Sequence, residues 1–523
     1  MTAVATMFDR CRRRIPLLEL IPIVTLLFLS VLIRIWGLDY DLPYIYHPDE
    51  PSYIAISQRI FQTGDLNPHF FNYPSLFFYI NALAYIPYYA LGKLMGVFHA
   101  PADILPPISL AMGVSRAQMP TVVLLGRAVT VCFGVGAVGL VYAIGKQITG
   151  KLAVAVLAAL MAAISPTAVW HSRLVTPDTL VVFFSLAALS SSVLVYQHGK
   201  TWQYVVAGIC VGLTASSKYN GALIVLPLVL AHFLRYNRAA FKQPQLYLAL
   251  LCCAVGFLAA TPFAIFDHSK FLNDFRFEAQ HYSSGHTGME GDTLKWYLNY
   301  MWNTGGGLYL LAFLGVLYGG VLYPKMTGML SVFPLVYFMF ISSFVVRNDK
   351  TLLPAIPFWF LLAAWFSVNI YDRFRVLQTK ALRAPTVLFF TALVCIALAS
   401  SASRVIATTR LLTTVNSRET ARMWIADNLP SGAKIAIESY APFVNPSQFV
   451  VHGFWGIIDH EPEWYVEQGF DYLVFSQGLY GRFYREPELY KNEVARYDSF
   501  FERFNSLMIF TDGGYEVRVY KVR

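Results

Sequence analysis

Long apolar runs separated by short polar segments make up most of this chain. About 11 of them approach or reach the roughly 20 apolar residues that a helix needs to cross a bilayer. The runs are Ile15–Trp36, Val122–Gly145, Leu152–Trp170, Leu180–Tyr196, Tyr204–Ala215, Ala222–Leu234, Leu246–Pro262, Gly307–Tyr323, Met329–Val345, Leu352–Ile370 and Thr386–Ser403. The pattern predicts a mostly α, polytopic membrane protein with about 11 transmembrane helices.

Composition agrees with this prediction and excludes an ordinary soluble protein. Of the 523 residues, 56% are hydrophobic and 14% are charged, and the mean hydropathy is +0.49. The basic balance, with a pI near 9.1, comes from loops between apolar runs. Cytoplasmic loops of membrane proteins are enriched in Lys and Arg, so nucleic-acid binding is not needed to explain the charge.

The basic loops also predict an orientation. The segment Cys11–Arg14 (CRRR) precedes the first run, which places the N-terminus in the cytoplasm. Every even-numbered connection after the first run then carries Lys or Arg: these are residues 145–151, 198–202, 235–242, 324–325 and 371–383. An odd number of spans puts the C-terminal part outside, so we predict a multi-pass protein of the plasma (inner) membrane.

One apolar segment does not fit this count of spans. Tyr73–Phe98 is apolar enough to cross the membrane, but a crossing there would place every later basic loop outside. Its many Tyr and Phe residues favour a helix lying in the outer interface, within one long outer loop of residues 37–120. The alternative is a true span with a compensating miscount elsewhere.

The C-terminal part differs in pattern from the rest. A helical segment that starts at Ser417 ends at Pro430 and Gly432, and four strand-like segments follow it: AKIAIES, FDYLVFSQ, SLMIFT and YEVRVYKV. We therefore predict a membrane domain over residues 1–404 and a small extracytoplasmic α/β domain over residues 405–523.

Two adjacent carboxylates mark the first outer loop. Asp49 and Glu50 lie between Pro48 and Pro51, and these prolines predict a turn. A solvated loop is the simplest explanation of such a pair. Because adjacent carboxylates repel, one of them can hold a proton or a cation, and either state suits acid–base chemistry.

Asp178 is the one acidic residue between Asp103 and Asp267, and it lies in a predicted outer connection. A carboxylate at a membrane boundary is costly unless it is paired or functional. Arg173 is a candidate partner. Alternatively, Thr176 or Asp178 caps the following helix.

Three basic residues lie on the predicted outer side, although Lys and Arg are generally enriched in cytoplasmic loops. Lys218 lies in SSKYNGALI, and Arg347 and Lys350 lie in VVRNDKTLLPAIP. Cations at the headgroup level are suited to holding a phosphate, although side chains that snorkel from helix ends are common.

The predicted outer loop 262–307 contains several histidines among glycines and aromatic residues. His281 and His286 raise the possibility of a zinc site, but their i, i+5 spacing is a weak ligand pattern. We expect a flexible loop that covers the substrate. The cysteines show no metal-binding spacing.

These motifs together resemble the GT-C membrane glycosyltransferases, in particular bacterial members of the protein O-mannosyltransferase and aminoarabinose-transferase group. The resemblance is carried by the outer-loop Asp-Glu pair and by SRLVTPDTLVVFF, GLTASSKYNGALIVLPL and VVRNDKTLLPAIPFWFLLAA. It implies transfer of a sugar from a polyprenyl-phosphate donor to a protein, lipid or glycan acceptor. Family members often have an RY pair before LLP, whereas this chain has RNDKTLLP, which leaves the phosphate ligand open.

The resemblance also implies roles for residues. Asp49 corresponds to the catalytic base with Glu50 beside it, and Asp178 to a second catalytic carboxylate. Lys218, Arg347 and Lys350 correspond to donor-phosphate ligands, and His47, Arg173 and Tyr219 are candidate supporting residues. No cofactor is required, and a divalent metal is possible but not expected.

Because cations can stabilise a leaving lipid phosphate, the chemistry then needs only one base. One base without a covalent sugar intermediate predicts a single displacement that inverts the anomeric carbon. The alternatives are a lipid-linked sugar transporter or flippase, which needs polar midplane helices, and a catalytically silent subunit of a membrane assembly.

Overall fold

The computed structural model describes residues 17–111, 114–376 and 380–523, and the basic segment Cys11–Arg14 lies outside these ranges. The described part of each predicted apolar run is mostly helical. The membrane domain contains helices Leu17–Ile35, Glu50–Thr63, Leu76–Leu94, Pro120–Thr149, Leu152–Ala163, Pro166–His171, Asp178–His198, Thr201–Ser217, Val225–Tyr236, Pro244–Ala260, Phe263–Phe266, His268–Ser284, Thr293–Leu322, Pro324–Ser342, Asp349–Leu352, Ile356–Arg375 and Lys380–Leu411. The prediction of a mostly α membrane domain is confirmed.

Seven helical segments in the described part of the chain are long and apolar enough to cross a membrane. They are Pro120–Thr149, Asp178–His198, Tyr219–Lys242, Thr293–Leu322, Pro324–Ser342, Asp349–Arg375 and Arg383–Leu411. Ile356–Arg375 lies at the centre of the bundle, since its side chains from Ile356 to Ser367 are all buried. The total of about 11 spans stays a prediction.

One predicted run divides into two helices. The run Leu152–Trp170 was expected to be continuous, but helix Leu152–Ala163 ends and helix Pro166–His171 begins after Ser165. Pro166 has no backbone N–H to donate to the preceding turn, so it starts a new helix instead of continuing the old one. The second helix brings His171 to the candidate site described below.

The predicted outer loop 37–120 is folded. It contains helices Glu50–Thr63 and Leu76–Leu94 and a small antiparallel sheet in the order β1-β3-β2, formed by β1 (Tyr44–Ile45), β2 (Ile108–Ala111) and β3 (Val114–Arg116). Leu76–Leu94 corresponds to the ambiguous segment Tyr73–Phe98, and it is not among the seven candidate spans. Its interfacial position stays a prediction.

Charged groups lie at the two ends of the bundle. Helix Pro120–Thr149 carries Arg127 near its start and Lys146 near its end. These residues are about 28 Å apart along the axis at about 1.5 Å per residue. Lys146 Nζ lies 2.7 Å from Glu19 Oε1, whereas Arg127 binds Glu50 in the first outer loop. The predicted cytoplasmic connection that contains Lys146 and the predicted first outer loop that contains Glu50 therefore lie at opposite ends of the bundle.

The C-terminal part is an α/β domain, as predicted. Its helices are Ser417–Asn428, Pro462–Glu467, Gln477–Tyr484 and Lys491–Arg503, and its strands are β4 (Lys434–Ile437), β5 (Val450–Gly453), β6 (Tyr472–Ser476), β7 (Asn505–Phe510) and β8 (Val517–Lys521). The sheet has the order β5-β4-β6-β8-β7, in which β4 is parallel to its two neighbours and β8 is antiparallel to its own. β6 is buried along its whole length, with an apolar core on each face of the sheet.

This domain packs on the Arg127 end of the bundle. Arg418 lies 3.7 Å from Asp41 of the first outer loop, and the Asn416 amide donates a hydrogen bond to the same carboxylate at 2.9 Å. Tyr490 donates to Glu290 at 2.6 Å. The C-terminal domain and the predicted site residues are therefore at the same end of the molecule.

Candidate active site

The turn at Asp49 is built by the residues on either side of it. Helix Glu50–Thr63 begins directly after Asp49, with Pro51 in its first turn, where a missing N–H costs nothing. The Asp49 backbone N–H donates to His47 Nδ1 at 3.2 Å, which requires this nitrogen to be unprotonated. Burial lowers the pKa of His47, and this agrees with a neutral ring. His47 therefore supports the turn.

Asp49 is held by a cation from a distant part of the chain. Lys350 Nζ donates to Asp49 Oδ2 at 2.9 Å, and 33% of the Asp49 side chain stays exposed. Burial is the largest single influence and raises the pKa of Asp49, but the charge and hydrogen bond of Lys350, together with the neighbouring His47, outweigh it, so the pKa lies below its usual range. Asp49 is therefore an ionised carboxylate that a substrate can reach.

Glu50, its neighbour, is in a different environment. Glu50 is fully buried and accepts two hydrogen bonds from Arg127, at 3.1 Å and 3.0 Å. The Val175 backbone N–H donates to Glu50 Oε1 at 2.9 Å. Arg127 also donates to the Leu38 and Tyr40 carbonyls. Both oxygens of Glu50 are thus engaged, and the carboxylate ties the first outer loop to the bundle.

Asp178 begins helix Asp178–His198 and is buried. Lys218 Nζ donates to Asp178 Oδ1 at 2.8 Å. The candidate pairing with Arg173 is wrong, because Arg173 donates instead to the Ile33 carbonyl and, at 2.8 Å, to Thr409 Oγ1. The capping alternative is right that a helix starts here, but the helix follows Pro177 without a side-chain cap.

Arg173 and Arg347 thus both have structural partners. Arg173 joins the ends of helices Leu17–Ile35 and Lys380–Leu411. The Arg347 guanidinium contacts Glu486 of the C-terminal domain, and its Nε donates to the Met289 carbonyl at 3.3 Å. These contacts place Arg347 at the junction of the domains. Its predicted role as a phosphate ligand stays a prediction.

Four further polar residues lie at the segment that carries Lys350, and sequence reasoning missed them. His171 Nε2 and the Tyr300 hydroxyl both lie 3.3 Å from Asp349 Oδ2. Asn348 caps the short helix that begins at Asp349 by accepting from the Lys350 backbone N–H at 3.0 Å. Asp349 stands next to Lys350 in RNDKTLLP, so the sequence did contain a signal for it.

A cavity of about 220 Å³ opens beside Lys218. Tyr73, Tyr219 and Tyr282 line it together with Lys218 and Thr351. The Tyr219 hydroxyl donates to the Phe71 carbonyl at 2.7 Å, which fixes its ring at the wall. The cavity combines aromatic walls with the Lys218 ammonium, which is suited to an anionic group, and the Glu278 carboxylate also lines it. We call it the Lys218 cavity.

The histidine pair of the predicted outer loop 262–307 does not form part of a larger donor cluster. The rings of His281 and His286 are 5.3 Å apart, and Arg482 Nη1 lies 3.4 Å from His286 Nε2. Within the ranges that the structure describes, no group of three or more His, Cys, Asp or Glu residues could hold a metal ion. The expectation that no metal is required stays a prediction.

The chain is similar to a known protein family over part of its sequence and to solved structures in its fold. Residues 121–264 match the family model of dolichyl-phosphate-mannose-protein mannosyltransferase. Among solved structures, ArnT from Cupriavidus metallidurans matches over 95% of this chain and 97% of its own, at 14% identity, with a TM-score of 0.51 bound to undecaprenyl phosphate and 0.52 in the apo state. The S. cerevisiae protein O-mannosyltransferase Pmt1-Pmt2 complex bound to the sugar donor gives 0.35 at 19% identity, over 54% of this chain and 37% of that one. A comparison with curated proteins found no significant match.

The matched segment contains Arg127, Asp178 and Lys218, and Asp49 and Lys350 lie outside it. The ArnT match covers 95% of this chain and therefore extends over both domains. The chain is therefore a membrane protein with the ArnT-like GT-C fold, and it resembles the glycosyltransferases of the GT-C superfamily.

Proposed function

We propose that the protein is an integral-membrane glycosyltransferase that moves a sugar from a polyprenyl-phosphate donor to an acceptor hydroxyl or amine. One observation carries the proposal: two carboxylate–lysine pairs, Asp49–Lys350 and Asp178–Lys218, lie at the same end of the bundle. Lys218 also lines a cavity with aromatic walls. This arrangement provides a base and two cations near one another.

Each pair has a role in the proposed reaction. Lys218 and Lys350 hold the donor phosphate and neutralise the charge that develops on it as it leaves. Asp49 takes the proton of the acceptor, since it is ionised and partly exposed. Asp178 orients Lys218 and is a positioning residue.

The other predicted catalytic residue, Glu50, acts through Arg127. This buried pair fixes the start of helix Glu50–Thr63, and so the position of Asp49. With Asp49 as the base and no covalent sugar intermediate, the proposal is a single displacement with inversion at the anomeric carbon.

The comparisons support this proposal. ArnT, which has the same fold, was solved with undecaprenyl phosphate bound, and residues 121–264 match a mannosyltransferase family. We extend the proposal to the membrane: the site and the C-terminal domain face outward from the inner membrane, the N-terminus is cytoplasmic, and no metal is required. The positive-inside pattern of the loops supports this orientation.

Turnover of a labelled polyprenyl-phosphate sugar by the purified protein in lipid nanodiscs tests the proposal. We expect released polyprenyl phosphate with the native protein and at least about a hundredfold less with Asp49→Asn, because general-base catalysis contributes about 10²–10⁴-fold. Asp65→Asn is the matched control, since Asp65 is an exposed carboxylate of the same loop.

Each other outcome has a clear meaning. Equal turnover by Asp49→Asn would keep the transferase and remove Asp49 as its base. No turnover by the native protein with a panel of donor sugars and acceptors would contradict the proposal and favour a silent subunit. Movement of the intact donor across the bilayer without its cleavage would favour a flippase.

A further inference from the structure

A second cavity, of about 430 Å³, lies between the first outer loop and the C-terminal domain. His47 and Pro48, from the turn that carries Asp49, form part of one wall. Tyr440 and Tyr515 of the C-terminal domain form part of another wall. We call it the interdomain cleft. Its volume is within the range of small-molecule binding sites.

The interdomain cleft and the Lys218 cavity have no lining residue in common. Asp49 lines neither cavity but is adjacent to both linings. It follows Pro48, which lines the cleft, and it binds Lys350, whose neighbour Thr351 lines the Lys218 cavity. A base between two cavities is the arrangement that a transfer between two bound substrates needs.

The two cavities differ in their charged groups. The Lys218 ammonium and the Glu278 carboxylate line the Lys218 cavity, whereas the charged groups of the cleft, apart from His47, are Asp41 and Arg418, which neutralise each other at 3.7 Å. The Asn416 amide also donates to Asp41, and the Arg418 guanidinium lies 3.9 Å from the centre of the Tyr46 ring. The cleft therefore favours an uncharged polar ligand over a phosphate.

Aromatic side chains supply much of the remaining surface of the cleft: Tyr40, Tyr46, Trp170, Tyr440 and Tyr515. The hydroxyls of Tyr40 and Tyr46 are buried and have no hydrogen-bond partner among the described residues. Aromatic faces carry partial negative charge and pack well against the C–H faces of a pyranose ring. Buried hydroxyls without partners are suited to a ligand rich in hydroxyl groups.

We propose that the interdomain cleft is the acceptor site and that the acceptor is a neutral saccharide. The inference rests on the proposed function. In the reaction, a saccharide hydroxyl gives its proton to Asp49 while its oxygen forms a bond to the anomeric carbon of the donor sugar. The bond from that carbon to the phosphate oxygen breaks, and polyprenyl phosphate leaves with the electron pair.

Isothermal titration calorimetry on the full-length protein in nanodiscs tests the site without requiring turnover. The probes are mannotriose, cellotriose and N-acetylchitotriose, with a Ser/Thr-containing hexapeptide as the competing acceptor class. We expect at least one trisaccharide to bind and Tyr515→Ala to weaken it about tenfold, through loss of one aromatic contact. Tyr484→Ala is the matched control, because Tyr484 is a partly exposed tyrosine of the same domain outside the cleft.

The inference is overturned if none of the trisaccharides binds, or if Tyr515→Ala and Tyr484→Ala bind them equally. Binding of the peptide that depends on Tyr515 would overturn it too, since the cleft would then belong to a protein acceptor. Donor cleavage measured on the same preparations separates the two proposals. Intact cleavage without saccharide binding contradicts only the acceptor site, whereas absent cleavage contradicts the transferase.

Discussion

The Lys350 ammonium lies 2.9 Å from an Asp49 carboxylate oxygen, although 301 positions separate the two residues in the chain. The contact joins the first outer loop to the segment before the central helix. It keeps Asp49 ionised, and it places a cation where a donor phosphate can compete for it. Lys350 therefore influences both the base and the leaving group.

The first prediction concerns pH. Because Lys350 lowers the pKa of Asp49, the base of the native enzyme should lose its charge only below about pH 4, the ordinary pKa of an aspartate. In Lys350→Met the pKa of Asp49 rises, since burial then acts without the cation. The acidic limb of kcat/KM should move upward by about one pH unit or more. The pH profile of donor turnover measures this shift.

The pH at which the acidic limb of the kcat/KM profile falls is the relevant readout in that experiment. The rate itself is not, because Lys350→Met also weakens phosphate binding and lowers the rate at every pH. Lys270→Met is a suitable control: Lys270 also binds an aspartate, Asp274, but on a different helix. A limb that stays in place in Lys350→Met would show that Asp49 is not the group that titrates.

The second prediction separates structure from chemistry at Glu50. Glu50→Ala leaves the buried Arg127 without its partner, which costs about 3–5 kcal/mol. Thermal unfolding in detergent should show a large fall in Tm, and the folded fraction at low temperature should keep its donor KM. A normal Tm with no turnover would assign Glu50 to the reaction itself.

The third prediction concerns the Lys218 cavity. Lys218→Met removes the cation, and we expect the donor KM to rise at least about tenfold, which corresponds to the roughly 1.5–3 kcal/mol of a charged hydrogen bond. The same change leaves Asp178 buried and unpaired, so it also destabilises the fold. The double variant Lys218→Met/Asp178→Asn removes the unpaired charge.

Comparison of these two variants identifies the role of Lys218. We expect the double variant to recover thermal stability but not donor affinity. Recovery of both would mean that Lys218 serves only to neutralise Asp178.

The fourth prediction concerns Arg347. Its contact with Glu486 indicates a role in holding the C-terminal domain, so Arg347→Gln and Glu486→Gln should have similar effects. Because Glu486 is 39% exposed, we expect at most about 1 kcal/mol of lost stability and faster proteolysis between the domains. A rise in donor KM in Arg347→Gln alone would instead support the phosphate role that the family resemblance implies.

Most residues of the candidate site can be predicted from the sequence. Asp49, Asp178, Lys218 and Lys350 stand out because charges are rare in apolar chains and because Lys and Arg on the outer side break a strong rule. The helical runs and the C-terminal strands follow from their periodicity. Pro166, which divides a predicted span, was also visible in the sequence.

The sequence does not predict which charged residues form ion pairs. Asp178 binds Lys218, 40 positions away, and not Arg173, which is only five positions away, because the fold directs Arg173 to the ends of two other helices. Sequence spacing predicts neighbours only within one helix or turn. The burial of Glu50 depends on Arg127, which belongs to a separate helix.

The sequence by itself determined the apolar helices, the small α/β domain and the residue types that carry the chemistry, because these depend on local periodicity and on the cost of charge near lipid. Only the tertiary structure decided which carboxylate is open and which is buried, and which lysine each one binds. It also placed the interdomain cleft beside Asp49. Adjacent residues such as Asp49 and Glu50 enter different environments because the side chains that surround them come from distant parts of the chain.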